Sequence, residues 1–179
     1  ASAAVAVLHL ARTDTAATLA RLPAKRLRLG PVSVALPDGS RILTTEDEPS
    51  SPELYAEATG LHVQPTLENA PQGIEGVMGA AERADAEDIR KKLERAKSSL
   101  QIEAASAPPM TGWSEAAQRV AENVLLLYYA RPISPSQVVL VRLYRAGGPR
   151  LSPLLAAEVR RILDSVEVAP EAITAGAPK

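Results

Sequence analysis

The chain has 179 residues, 46% of them hydrophobic, with one Trp, no Phe, no Cys and a formal net charge of −1, which suits one domain whose core is assembled from Ala, Leu and Val. Zero cysteines exclude disulfides, thiolate nucleophiles and Cys-ligated zinc or iron–sulfur sites. The near-neutral balance gives no global attraction to nucleic acid or lipid, and no apolar run reaches the ~20 residues of a membrane-spanning helix.

In chain order, alternation over residues 4–11 predicts a strand, and Thr13 or Asp14 offers an N-cap for a short helix ending near Pro23. No basic leader precedes this apolar start, so a soluble, cytoplasmic protein is expected; the missing initiating Met leaves a processed or exported origin open. Residues 32–36, the turn Pro37-Asp-Gly-Ser40 and residues 41–45 read as a hairpin, because Pro presets one φ and Gly supplies a positive one. Ser51 as cap, Pro52 at the first helical position and Gly60 past the end frame a short helix over 54–59. Residues 62–79 carry Pro65, Pro71, Gly73, Gly76 and Gly79 and read as connection.

A surface helix is predicted over 80–100. Its acids (Glu82, Asp85, Glu87, Asp88) come early and its bases (Arg90, Lys91, Lys92, Arg95, Lys97) late, as the helix dipole favours. Only Ile89, Leu93, Ala96 and Leu100 form an apolar seam. After the breaker at 107–109, Trp113, Ala117, Val120, Val124 and Tyr128 recur at helical spacing and predict a buried central helix over 114–130, closed by Arg131-Pro132. Residues 137–144 are apolar on nearly both faces, as an interior strand is. Gly147-Gly148-Pro149 turns the chain, and Ser152-Pro153 caps a helix over 153–166 with Leu155, Val159, Ile162, Leu163 and Val166 inward. The expectation is a single α+β domain over 1–166, with a small mixed or antiparallel sheet containing a β-hairpin packed against several helices, followed by a tail over 167–179.

The chemistry-bearing candidates are few. The segment Arg145-Ala-Gly-Gly-Pro-Arg150-Leu-Ser152 joins a strand to a helix N-terminus, where the amides of Gly147 and Gly148, the Ser152 hydroxyl and the guanidinium groups of Arg145 and Arg150 are candidates to hold a phosphate or carboxylate. It matches neither the Gly-Lys-Ser/Thr ending of a phosphate loop nor Gly-x-Gly-x-x-Gly. His9 and His62 belong to no metal motif, so no metal and no cofactor is expected. His62 is a candidate general base with Glu57 or Glu68, or a triad member with an unidentified Ser. Glu46-Asp-Glu48 reads as a solvated acidic turn.

Charge is segregated. Arg12, Arg21, Lys25, Arg26, Arg28 and Arg41 crowd residues 12–41, five acids occupy 46–57, and six arginines occupy 131–161. Faces of opposite sign suit a protein partner or a second copy of the chain. The favoured reading is therefore a non-enzymatic interaction or assembly module, with Ile89, Leu93, Leu100, Arg26 and Arg28 as partner-binding residues. The alternatives are an anion-binding enzyme at the Gly147–Ser152 loop and a nucleic-acid-binding domain on the Arg-rich segments. For the latter, Trp113, Tyr128, Tyr129 and Tyr144 fall in core-like positions and give no stacking platform.

Overall fold

The computed structural model describes residues 24–44, 52–95, 102–120, 123–148 and 150–173. Strands β1 (Ala24–Leu29), β2 (Val32–Pro37), β3 (Arg41–Leu43), β4 (Glu53–Ala56) and β5 (Leu61–Asn69) lead into helix α1 (Gly73–Arg95). Then come β6 (Ile102–Ala105), β7 (Ser114–Val120), β8 (Val124–Ser134), β9 (Gln137–Ala146), helix α2 (Pro153–Asp164), β10 (Glu167–Val168) and a single 3-10 turn (Pro170–Ala172). A three-stranded sheet has the order β1-β2-β10 and a seven-stranded sheet the order β3-β4-β5-β9-β8-β7-β6. Every pairing between neighbours is antiparallel.

The period-2 geometry of a strand divides the core in two. On one face of the large sheet, Leu54, Val63, Leu127, Tyr129, Val139, Val141 and Leu143 meet Val32, Val34 and Leu36 of β2 and Leu155, Val159, Ile162 and Leu163 of α2. On the other face, Tyr128, Ala130, Val138 and Leu140 meet Met78, Ile74, Val77 and Ala81 of α1. Strand β9 is buried on both sides, which is why its sequence is apolar at nearly every position, and it stands at the centre of the sheet as expected. Helix α2 also forms where its signals place it: the Ser152 hydroxyl accepts the Leu155 N–H at 3.2 Å and Pro153 opens the first turn.

Other segments differ from expectation for identifiable reasons. The buried helix over 114–130 is instead the β7–β8 hairpin. Tyr128 and Tyr129 are both fully buried, one in each core, so an apolar run that fills both faces of a strand mimics a helical stripe. Arg131-Pro132 lies inside β8, where the register with β9 shifts between Pro132 and Ser134, a position that tolerates Pro. The turn Pro37–Ser40 forms, with the Ser40 N–H donating to the Pro37 carbonyl at 3.1 Å, but its strands part: β2 pairs with β1 and β3 with β4. Turn chemistry dictates the local reversal and leaves the pairing partners to the core. The hairpin at this point is β1–β2, closed by Gly30 and Pro31.

Residues 54–59 form β4 and a turn rather than a helix. Gly60 does adopt a positive φ of 66° and donates to Ala56 O at 2.8 Å, in a β4–β5 turn and not at a helix end. Residues 62–79 are not a connection but most of β5 and the start of α1, which runs through Gly76 and Gly79. Pro65 is accommodated because β4 pairs with β5 only at Leu61–Val63, leaving an open edge beside it. Residues 167–173, read as tail, contribute β10 and the 3-10 turn; Glu167 and Val168 pair with Ser33 and Val32. The sheet is larger and the helices fewer than expected, with two α-helices among the described residues. The strand over 4–11, the helix over 14–22, His9 and Glu46–Glu48 lie outside the described residues.

Candidate functional site

Helix α1 packs over β8 and β9, and a half-buried polar link fastens it there. The Tyr128 hydroxyl donates to Asp85 Oδ2 at 2.9 Å and Arg142 Nη1 donates to Asp85 Oδ1 at 3.0 Å. Burial, reinforced by the Asp85 charge, pushes the Tyr128 phenol far above its ordinary range, so this hydroxyl is a permanent donor. Between α1 and the sheet lies a groove of about 400 Å³ lined by Glu68, Gln72, Gly76, Ala80, Leu140 and Arg142.

On the same face, toward β3, one line of the register crosses four strands: Arg41 is opposite Tyr55, Tyr55 opposite His62, and His62 opposite Tyr144. Their side chains touch in sequence. The Arg41 guanidinium lies 5.5 Å from the Tyr55 ring centre. The Tyr55 and His62 rings are 4.8 Å apart and tilted by 53°, and His62 stacks on Tyr144 at 4.2 Å and 15°. Cross-strand aromatic pairs and a cation over a ring each add a few tenths to about 1 kcal/mol, so the row is an ordered unit.

Beneath the row, Glu53 is 7% exposed. Its Oε1 lies 2.7 Å from His62 Nδ1, and both of its oxygens accept from the Tyr144 hydroxyl, at 2.8 and 2.7 Å. Burial, followed by the hydrogen bond to Glu53, raises the Tyr144 phenol well above its usual range and keeps it protonated. Among the described residues His62 Nε2 has no hydrogen-bond partner, and no Ser or Thr hydroxyl completes a triad.

His62 therefore has a carboxylate partner, but neither of those expected. Glu57 is exposed and faces Arg41 at 3.8 Å, while Glu68 lines the groove beside α1. Glu53 escaped sequence reasoning because residues 54–59 read as a helix. With Gly60 taken as a hairpin glycine, strand alternation would have placed Glu53 and Tyr55 on the face of His62.

In the Gly147–Ser152 segment, the described residues expected to hold an anion make internal hydrogen bonds, except Arg150. The Gly147 and Gly148 amides both donate to Asn123 O, at 2.7 and 3.1 Å. The Ser152 hydroxyl caps α2, Arg145 Nε donates to Thr59 O at 2.9 Å, and Arg150 is exposed. Arg26 and Arg28 are engaged internally. Arg26 bonds Ser33 Oγ and Ser165 O, both at 3.1 Å, and pairs with Glu167 at 2.9 Å; Arg28 bonds Gly30 O at 2.7 Å and faces Glu171 at 3.5 Å. Ile89 and Leu93 are half-buried on α1, on the opposite side of the large sheet from Arg26 and Arg28, so these residues share no surface. Leu100 lies outside the described residues. Trp113 is buried, with the Arg131 guanidinium 4.7 Å from its ring centre.

Among the described residues, no three His, Asp or Glu side chains group as a metal site requires, and no helix is long and apolar enough to cross a membrane. No protein-family model matches the sequence, and no curated protein matches it. Among solved structures the chain is similar to the Ran-binding protein Mog1p of Saccharomyces cerevisiae, at 9% identity over 85% of this chain and 98% of that one, with a TM-score of 0.49. A likeness this loose carries over neither a partner nor a site.

Proposed function

We propose that the chain is a non-enzymatic protein-interaction module and that its partner docks on the Arg41–Tyr55–His62–Tyr144 row. The observation that carries this reading is the row itself. It comprises two tyrosines, a histidine and an arginine, aligned on one register line, partly exposed and held in place by a buried carboxylate. Tyr and Arg dominate the binding energy of protein interfaces, and side chains already fixed before contact lose little entropy on docking. The Glu53–His62 pair resembles half of a catalytic triad in chemistry, yet it faces open sheet and the 400 Å³ groove is lined by other residues.

Affinity capture with the full chain as bait tests the proposal. Tyr55→Ala should weaken retention of the captured protein by about 30-fold, the loss of about 2 kcal/mol typical of a hot spot. Arg26→Ala, on the far side of the molecule, should leave retention unchanged. Equal retention by all three baits, or a bait that captures nothing and sediments as a monomer at high concentration, contradicts the proposal.

A further inference from the structure

His62 sits at the middle of the row with three of its four sides committed: Nδ1 against Glu53 at 2.7 Å, one ring face on Tyr144 at 4.2 Å, and Tyr55 at 4.8 Å. An ionised carboxylate only accepts hydrogen bonds, so Nδ1 carries its proton whether the ring is neutral or charged. Every protonation change must then occur at Nε2, which has no partner among the described residues; the side chain as a whole is 21% exposed.

We propose that His62 is a proton-operated donor–acceptor switch in the docking row, and that its protonated form recruits an acidic protein segment. The partner half of this rests on the docking surface proposed above; the switch itself does not. In the neutral ring Nε2 offers a lone pair. In the charged ring it becomes an N–H donor, with no rotation needed, because the clamp on Nδ1 and the stacking are the same in both states. The groups facing His62 set the sign of the effect. From β4 come Glu53, buried and already accepting from Tyr144, and the neutral Tyr55; from β9 comes Tyr144, held protonated; from β3 comes Arg41, over the outer side of Tyr55. Protonation thus adds a positive charge at His62, across the Tyr55 ring from Arg41, whose own charge already faces Glu57 at 3.8 Å, so the charged ring favours a carboxylate on a partner where the neutral ring does not.

Two measurements on the full chain separate the halves of the proposal. Nitrogen-15 spectra of the imidazole between about pH 5 and pH 8, the range in which histidines titrate, should show Nε2 as the unprotonated nitrogen of the neutral form, with the Tyr144 ring contact retained after protonation. A neutral ring protonated at Nε2, or loss of the Tyr144 contact on acidification, overturns the switch. Binding of a glutamate-rich peptide at fixed ionic strength should tighten several-fold from about pH 8 to about pH 5.5, and His62→Gln should abolish that change. A pH-independent affinity in the unsubstituted chain overturns the acidic-partner half while leaving the ring spectrum to decide the switch.

Discussion

Two carboxylates organise the α1 side of the large sheet, and neither is a surface ornament. Asp85 joins Tyr128 and Arg142 across the α1–sheet interface, with the Asp85 and Arg142 side chains 25% and 29% exposed. Asp85→Ala leaves the Arg142 charge without its partner and removes the acceptor of the Tyr128 hydroxyl, so a loss of about 2–3 kcal/mol is expected, read as a lower denaturant midpoint at unchanged slope. The phenols supply a second test. Tyr128, Tyr129 and Tyr144 all ionise above the ordinary value of 10.0 in the folded chain, and burial, with Glu115 adding to it, raises Tyr129 to about 12. Unfolded tyrosines lose their protons first, so their contribution is fully present below pH 10 and is lost as pH rises through the folded values. Stability should hold up to about pH 10 and then fall by about 1.4 kcal/mol per pH unit for each tyrosine involved. Tyr129→Phe should make that decline shallower in denaturation midpoints measured up to about pH 12.

At the scale of elements, legibility followed the agreement of local and tertiary signals. Helix α2 was legible because cap, Pro and apolar stripe coincide, and its cap carries measurable weight: Ser152→Ala should cost about 1 kcal/mol of unfolding free energy. Strand β9 was legible because its apolar run from Val138 to Tyr144, broken only by Arg142, is short and is soon followed by Gly147. The run from Val124 to Ala130 was not, since both faces of β8 are buried and the same residues satisfy a helical and a strand period. Gly60 and the turn at Pro37–Ser40 announced reversals correctly, but a reversal does not say which strands meet across it. The Glu53–His62 link was lost at this step, because a hairpin misread as a helix hides every contact made across it.

At the scale of the molecule, the two cores place α2 and the small sheet on one side of the large sheet and α1 on the other. Because α1 is a single helix over β8 and β9, it leaves the β3–β5 part of that face half-exposed, and Arg41, Tyr55 and His62 of the aromatic row lie there, with Tyr144 beside them near the end of β9. The partner-binding residues expected from sequence fall elsewhere, with Arg26 and Arg28 fastening β1 to the Glu167–Glu171 segment. The proposed docking surface is the aromatic row instead. Hydrogen–deuterium exchange of the full chain, alone and saturated with its captured partner, tests this most directly. Slowed exchange should appear in Arg41–Leu43, Glu53–Ala56 and the first half of Leu61–Asn69. Protection confined to α1 around Ile89 and Leu93, or to β1 around Arg26 and Arg28, would contradict it.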